Sequence, residues 1–210
     1  MSLKIKKDAK ITRLEIIIKL DYYSYINNSK AEAKMNSISP LVHQITDKEA
    51  RKQAKNLFNQ VKKSTGRVPK WMRVMANCED VLVGFFTLFK AVMDNAPVNI
   101  LLKWRIALKI SDLNKCDFCV SVAKQQLEMF GLNDKKIKNI ESEKLSKEEQ
   151  TALEYAVAST EHAYNINPKI IKKMKKYYTD AQIVEISSVV GLFNFINRFN
   201  DSLGVLPDVK

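Results

Sequence analysis

The stretch Asn114-Lys115-Cys116-Asp117-Phe118-Cys119-Val120-Ser121-Val122-Ala123-Lys124-Gln125 decides how this chain is read. It sets two cysteines one helical turn apart, behind a turn-forming Asn-Lys pair and ahead of a helix-compatible run. Residues i and i+3 share a helix face, so the two thiols can meet as a disulfide or share a metal. A structural zinc site needs four ligands, and the remaining candidates, Cys78, His43 and His162, form no second paired motif. Zinc is therefore disfavoured, and neither a metal nor a cofactor is expected. The thiol nearer the helix start should be the better thiolate, because unpaired amides and the positive end of the helix dipole lie there. Redox or nucleophilic use of the pair stands against burial as two small, inert core residues.

Outward from the dithiol the chain reads as helix in both directions. Ile100, Leu101, Trp104, Ala107, Leu108 and Leu113 make an apolar stripe on a helix opening at Pro97. After the cysteines, the helix continues through Leu127 and Phe130 to Gly131, a left-handed C-cap residue. A short helix, Asp134–Ile140, and a charged link, Glu141–Lys144, come next. Ser146-Lys-Glu-Glu149 is a capping box that starts another helix, with His162 near its end. Pro168 opens a lysine-rich helix, and Thr179-Asp-Ala-Gln182 caps a long one ending near Leu203 and Gly204. Upstream, Thr46-Asp-Lys-Glu49 predicts a helix to about Lys63, followed by a break at Gly66 and Pro69. A short segment, Lys70–Ala76, then carries Trp71 and Met72. Asn77 is placed as the cap of an apolar helix reaching Met93, with Cys78 as a structural residue at its start. From Thr46 onward every element is helical, which predicts an all-α bundle.

Composition limits what such a bundle can be. The chain has 210 residues, 46% hydrophobic and 28% charged, enough for one good core. Five glycines and five prolines are few for an all-β fold. The apolar runs at 81–89 and 186–196 fall short of the roughly 20 residues that a membrane helix requires. The N-terminus lacks the apolar core and cleavage site of a secretory signal, and three cysteines are an odd number for a disulfide framework. A cytoplasmic protein is expected. The net charge of +12 raises the question of nucleic acid. However, the lysines of 169–176 alternate with Ile170, Ile171 and Met174, so they form the solvated face of an amphipathic helix, and no base-reading motif accompanies them. Residues 1–34 read as an appended extension, helix or strand, ahead of a domain spanning 35–210.

Several of these stretches together resemble a family. The run Arg105–Cys119 with Gly131 and 134–137, Gly66-Arg-Val-Pro69, and Phe193-Asn-Phe-Ile-Asn-Arg-Phe-Asn-Asp-Ser-Leu-Gly-Val-Leu-Pro207 are similar to the carboxymuconolactone decarboxylase superfamily, in its alkylhydroperoxidase D-like branch. The resemblance covers about residues 35 to 208. It implies a bundle of antiparallel helix hairpins that assembles as trimers or hexamers, with active sites near subunit contacts. It also implies a thiol peroxidase in which Cys119 attacks, Cys116 resolves, and a lipoyl or thioredoxin-like dithiol recycles the pair. The alternative within the family is a non-catalytic or redox-sensing member.

The chain departs from the branch around the sulfurs. Where the branch carries a Glu and two His as a proton relay, this sequence has Trp104, Phe118 and Ala123. Such groups supply roughly 10²–10⁴-fold in rate. Asp117, Lys124 or Glu128 are the nearby substitutes, although Lys124 and Glu128 also fit a solvated i,i+4 pair. Asn194, Asn197, Arg198 and Asp201 interrupt the apolar face of the last helix. Arg198 is placed either on an acidic substrate or in a tie between helix ends or subunits.

Overall fold

The computed structural model describes residues 40–94, 97–132, 137 and 145–207. The expected extension at 1–34 and the charged link at 141–144 lie outside these residues, as does the short helix at 134–140 apart from Ile137, which is helical and buried. Among the described residues the α-helices with both ends defined are, in order, α1 (Lys52–Thr65), α2 (Lys70–Met75), α3 (Glu79–Met93), α4 (Ile100–Leu113), α5 (Asp117–Met129), α6 (Lys147–His162), α7 (Pro168–Tyr177) and α8 (Asp180–Ser202). There is no β-strand among the described residues. The all-α expectation holds.

Helix α4 is the centre of the bundle. Most of its residues from Leu102 to Ser111 are buried, including Lys103 and Arg105, so it is covered on nearly every side by α5, α6 and α8. Helix α8, about 35 Å long at 1.5 Å per residue, buries Ile186, Val189, Val190, Phe193, Ile196, Asn197 and Asn200 along one face. Trp104 of α4 meets Phe193 of α8 edge to face, with ring centroids 5.8 Å apart. Its indole packs α4 to α8 and holds no titratable group at the position where the family resemblance would place a carboxylate. Trp71 of α2 packs edge to face on Phe85 of α3.

The Ser146 and Thr179 capping boxes start α6 and α8 as the sequence indicates, and Asn167 caps α7 ahead of Pro168. In α7 Met174 is buried while Lys169, Lys172, Lys173, Lys175 and Lys176 face out, as an amphipathic helix requires.

Three expected starts are displaced. The Thr46–Glu49 box forms, with Thr46 N donating to Glu49 Oε2 at 2.8 Å, but it closes one turn, and α1 begins only at Lys52. Arg51, its N-cap, supplies no capping oxygen. The amides of Gln53 and Ala54 instead both donate to Glu79 Oε1 of α3, each at 2.9 Å. Asn77 does not cap α3 either. Its amide donates to the His43 and Val74 carbonyls, and Cys78, which is exposed, takes the N-cap position. Pro97 does not open α4, because the backbone there is tied to α8. Val98 N donates to Glu185 Oε2 at 2.9 Å and Gln182 Nε2 to the Pro97 carbonyl, so the helix starts after Asn99, whose side chain accepts from Leu101 N.

A buried charge knot fixes this corner. Lys103, fully buried, donates to the Val92 carbonyl at 2.9 Å, to the Asp94 carbonyl and to Glu185. It thereby satisfies carbonyls at the frayed end of α3 while α8 supplies the counter-charge, which is the condition for tolerating an ion pair in a core.

Candidate functional site

The turn between α4 and α5 sets the dithiol. Cys116 N donates to Ser111 O at 2.9 Å across Lys115, which takes a left-handed conformation at φ 59. This closes α4 and leaves Cys116 extended as the N-cap of α5, with Cys119 on the first turn. The two sulfurs are 2.9 Å apart, with the Cys116 thiol donating to Cys119. Both cysteines are free and buried. Cys116 is 0% exposed and Cys119 4%, so Cys119 is the slightly less buried of the two.

The electrostatics also favour Cys119. Its thiol is held below the usual cysteine range, first by the hydrogen bond from Cys116 and then by those from Asn200 and Asn197, against the opposing effect of burial. The Cys116 thiol is pushed up, because ionising it would forfeit that bond and place a second charge beside the first in a dry site. The thiolate expected at the helix start is therefore corrected. Cys116 does occupy the helix start, but the amide donors reach the sulfur one turn later.

Those donors come from α8. Asn200 Nδ2 lies 3.3 Å from Cys119 Sγ, and Asn200 is fully buried. Asn197, also fully buried, donates to Ser111 Oγ at 3.1 Å and accepts from Asn114 Nδ2 at 2.9 Å. Asn114 reaches Asn194 at 3.1 Å, and Asn194 in turn donates to Thr160 Oγ1 at 3.0 Å. Hydrogen bonds thus run from Ser111 through Asn197, Asn114 and Asn194 to the half-buried Thr160, beside the Asn200–Cys119 contact. The carboxyl of Asp201, facing the Cys116 thiol, is held above its ordinary range by burial and by the charge of Asp117.

The other expected residues are spread around this centre. Phe118 and Ala123 are buried packing residues of α5, so neither supplies a proton carrier. Asp117 is an exposed first-turn residue whose charge acts on Asp201. Lys124 is half-buried and Glu128 exposed, on the stretch of α5 that follows the cysteines. Arg198 is exposed, and its Nη1 donates to the carbonyl and the Oδ1 of Asn194, at 3.0 and 2.6 Å. Arg198 therefore bonds within its own helix and borders a groove of about 430 Å³ lined also by Thr160, Ser187 and Phe195, which neither cysteine lines. His43 pairs with Glu49 at the surface, and His162 stacks edge-on against Tyr164, both away from the sulfurs. Among the described residues no group of three or more His, Cys, Asp or Glu is placed to hold a metal.

Asn200 and Asp201 are the site residues that sequence reasoning passed over or left without a role. The available signal was their register. Asn197, Asn200 and Asp201 follow an i, i+3, i+4 pattern on a helix whose preceding turn, Val189 to Phe193, is apolar.

Among known proteins, no family model matches the sequence. The uncharacterized protein YnjA of Escherichia coli (strain K12) is 24% identical over 114 residues, and the match spans 52% of this chain and less than two thirds, 63%, of that protein. Solved structures align over much more of the chain. A peroxidase-related protein from Silicibacter sp. TM1040 superposes with a TM-score of 0.70 at 19% identity, over 81% of this chain and 90% of its own. The alkylhydroperoxidase AhpD core protein from Ralstonia eutropha JMP134 gives 0.68 at 18% identity, over 81% and 91%. A cysteine-to-alanine variant of the debrominase Bmp8, in complex with 2,3,4-tribromopyrrole, gives 0.72 at 22% identity, over 82% and 94%. The resemblance read from the sequence thus extends to the architecture, and the chain has the alkylhydroperoxidase D-like helical fold.

Proposed function

We propose that the protein is a thiol-dependent oxidoreductase of the carboxymuconolactone decarboxylase superfamily that reduces a hydroperoxide with Cys119 and Cys116. The observation that carries this reading is the asymmetric pair, in which the Cys116 thiol donates to a sulfur 2.9 Å away and a buried amide, 3.3 Å from that sulfur, donates to Cys119 as well. Cys119 thiolate attacks the terminal oxygen of the hydroperoxide. A sulfur–oxygen bond forms, the O–O bond breaks, and the departing alkoxide takes a proton to leave as an alcohol. Cys116 then attacks the sulfenic sulfur, its thiol proton leaves with the hydroxide as water, and the disulfide remains. Two electrons pass from the dithiol to the peroxide. A small external dithiol, lipoyl or thioredoxin-like, returns them, and a homo-oligomer is the working assembly.

Trp104, Phe118 and Ala123 leave the relay positions without titratable groups, so turnover should lie about 10²–10⁴-fold below that of a site with such a relay. The near-complete burial of both sulfurs favours one second reading, a sensor that oxidises once without sustained turnover.

The test is to treat reduced protein with cumene hydroperoxide and with hydrogen peroxide, following thiol count and intact mass for wild type, Cys119→Ser and Cys116→Ala. Wild type should lose two thiols as an intramolecular disulfide, Cys116→Ala should stop at a sulfenic acid, and Cys119→Ser should not react. Survival of both thiols in excess peroxide overturns the enzyme and the sensor together. Oxidation that added dithiol cannot turn into repeated peroxide consumption selects the sensor.

A further inference from the structure

The side-chain oxygen of Asn200 is buried beside Cys119 and has no hydrogen-bond partner among the described residues, while the nitrogen of the same amide donates to the Cys119 sulfur. A buried acceptor left unpaired carries a desolvation cost that a hydrogen-bond donor relieves. Asn197, equally buried one turn earlier, has its donor on Ser111 and its acceptor on Asn114, so an unmatched amide is not general to this face of α8. Because the oxygen and nitrogen share one amide carbon, a donor that reaches Oδ1 along the edge of the amide facing Cys119 lies next to the sulfur held by Nδ2.

From this juxtaposition we infer that Asn200 is a catalytic residue of the dithiol site that accepts the O–H of the hydroperoxide's terminal oxygen, so that the substrate class is an oxidant with a proton on the oxygen transferred. The inference rests on the function proposed above. When Cys119 attacks that oxygen, the sulfur–oxygen bond forms as the O–O bond breaks, and the proton stays on the transferred oxygen as the sulfenic O–H. The contact to Oδ1 therefore persists from the bound peroxide to the sulfenic acid. The departing alkoxide takes its proton from solvent, and Asn200 neither gains nor loses one. A single amide thus lowers the cost of the thiolate and aims the oxygen it attacks, in a site whose Phe118 and Ala123 do neither.

The experiment compares two reactions of Cys119 in the full-length protein. Iodoacetamide alkylates the thiolate without offering an O–H, whereas cumene hydroperoxide offers one. Rates are measured against pH and divided by the fraction of thiolate, for wild type, Asn200→Ala and Asn200→Asp, with thermal melting to confirm folding. For Asn200→Ala, alkylation per thiolate should stay within about threefold of wild type while peroxide oxidation per thiolate falls about 10–100-fold, the range for one hydrogen bond of about 1.4–2.8 kcal/mol. Asn200→Asp keeps an acceptor and loses the donor, so it should raise the Cys119 pKa yet retain most peroxide reactivity per thiolate. Equal losses in both reactions overturn the inference and leave Asn200 a thiolate-stabilising group. So does Asn200→Asp losing its peroxide reactivity as fully as the alanine variant, and if alanine does not fold, the aspartate variant decides alone. Wild-type protein that alkylates but resists peroxide would overturn the proposed function itself, and this assignment with it.

Discussion

The carboxyl of Asp201 faces the thiol of Cys116, one residue beyond the amide that holds Cys119. Asp201 is exposed at one edge, yet the protein packed around its carboxyl raises its pKa above the ordinary value, with the Asp117 charge adding to the rise and the Cys116 thiol opposing it. A carboxyl raised in the folded state favours its neutral form there. It contributes stability that is complete below the unfolded pKa, near 3.8, and that is lost as pH rises through the folded value. Asp201→Asn should therefore be more stable than wild type at pH 8, with the gap narrowing at pH 4, read from urea midpoints at the two pH values. A gap that does not change with pH would show that the carboxyl is solvated like any surface aspartate.

The Lys103–Glu185 pair predicts a non-additive result. Lys103→Met leaves Glu185 charged and buried, and should cost about 3–5 kcal/mol in chemical denaturation. Adding Glu185→Leu removes the stranded charge and should recover a large part of that loss, although Val98 N and the carbonyls of Val92 and Asp94 then lose partners. A double variant as unstable as the sum of the two single ones would mean that these backbone groups, and not the stranded charge, set the cost.

Two motifs of the same type should differ in worth. Ser146 caps α6, a helix of 16 residues, whereas Thr46 closes a single turn before α1. Ser146→Ala should cost about 1 kcal/mol and Thr46→Ala distinctly less. Conversely, Glu79→Gln, on α3, should weaken the start of α1, seen as faster amide exchange at Gln53 and Ala54. Equal losses for the two capping variants would contradict this assignment of the helix start.

Much of the architecture was legible in the chain because its causes are local. The Ser146 and Thr179 boxes, Pro168, Gly131 at φ 85 and Gly204 at φ 66 start or stop helices through atoms only a few residues apart. The spacing of Cys116 and Cys119 likewise sufficed to bring the two sulfurs together. Where a helix boundary answered to a distant group, local reading misplaced it. Glu79 serves the first turn of α1 from 25 residues away, and Glu185 holds the chain before α4 from 87 residues away.

The same division runs through the site. Sequence alone determined that a dithiol sits at the head of a helix in an all-α chain, since both follow from residue type and spacing. Only the tertiary structure decided which thiol is held low and which side chains of α8 meet the pair. Asn200 reaches Cys119 across 81 residues, and Asn197 reaches Ser111 across 86. A local helix-dipole argument favours Cys116, but a hydrogen bond made directly to sulfur inside a dry core outweighs the diffuse field of a helix end. The docking of α8 against the α4–α5 turn adds the amide of Asn200 to the hydrogen bond that Cys116 already gives Cys119 within the motif.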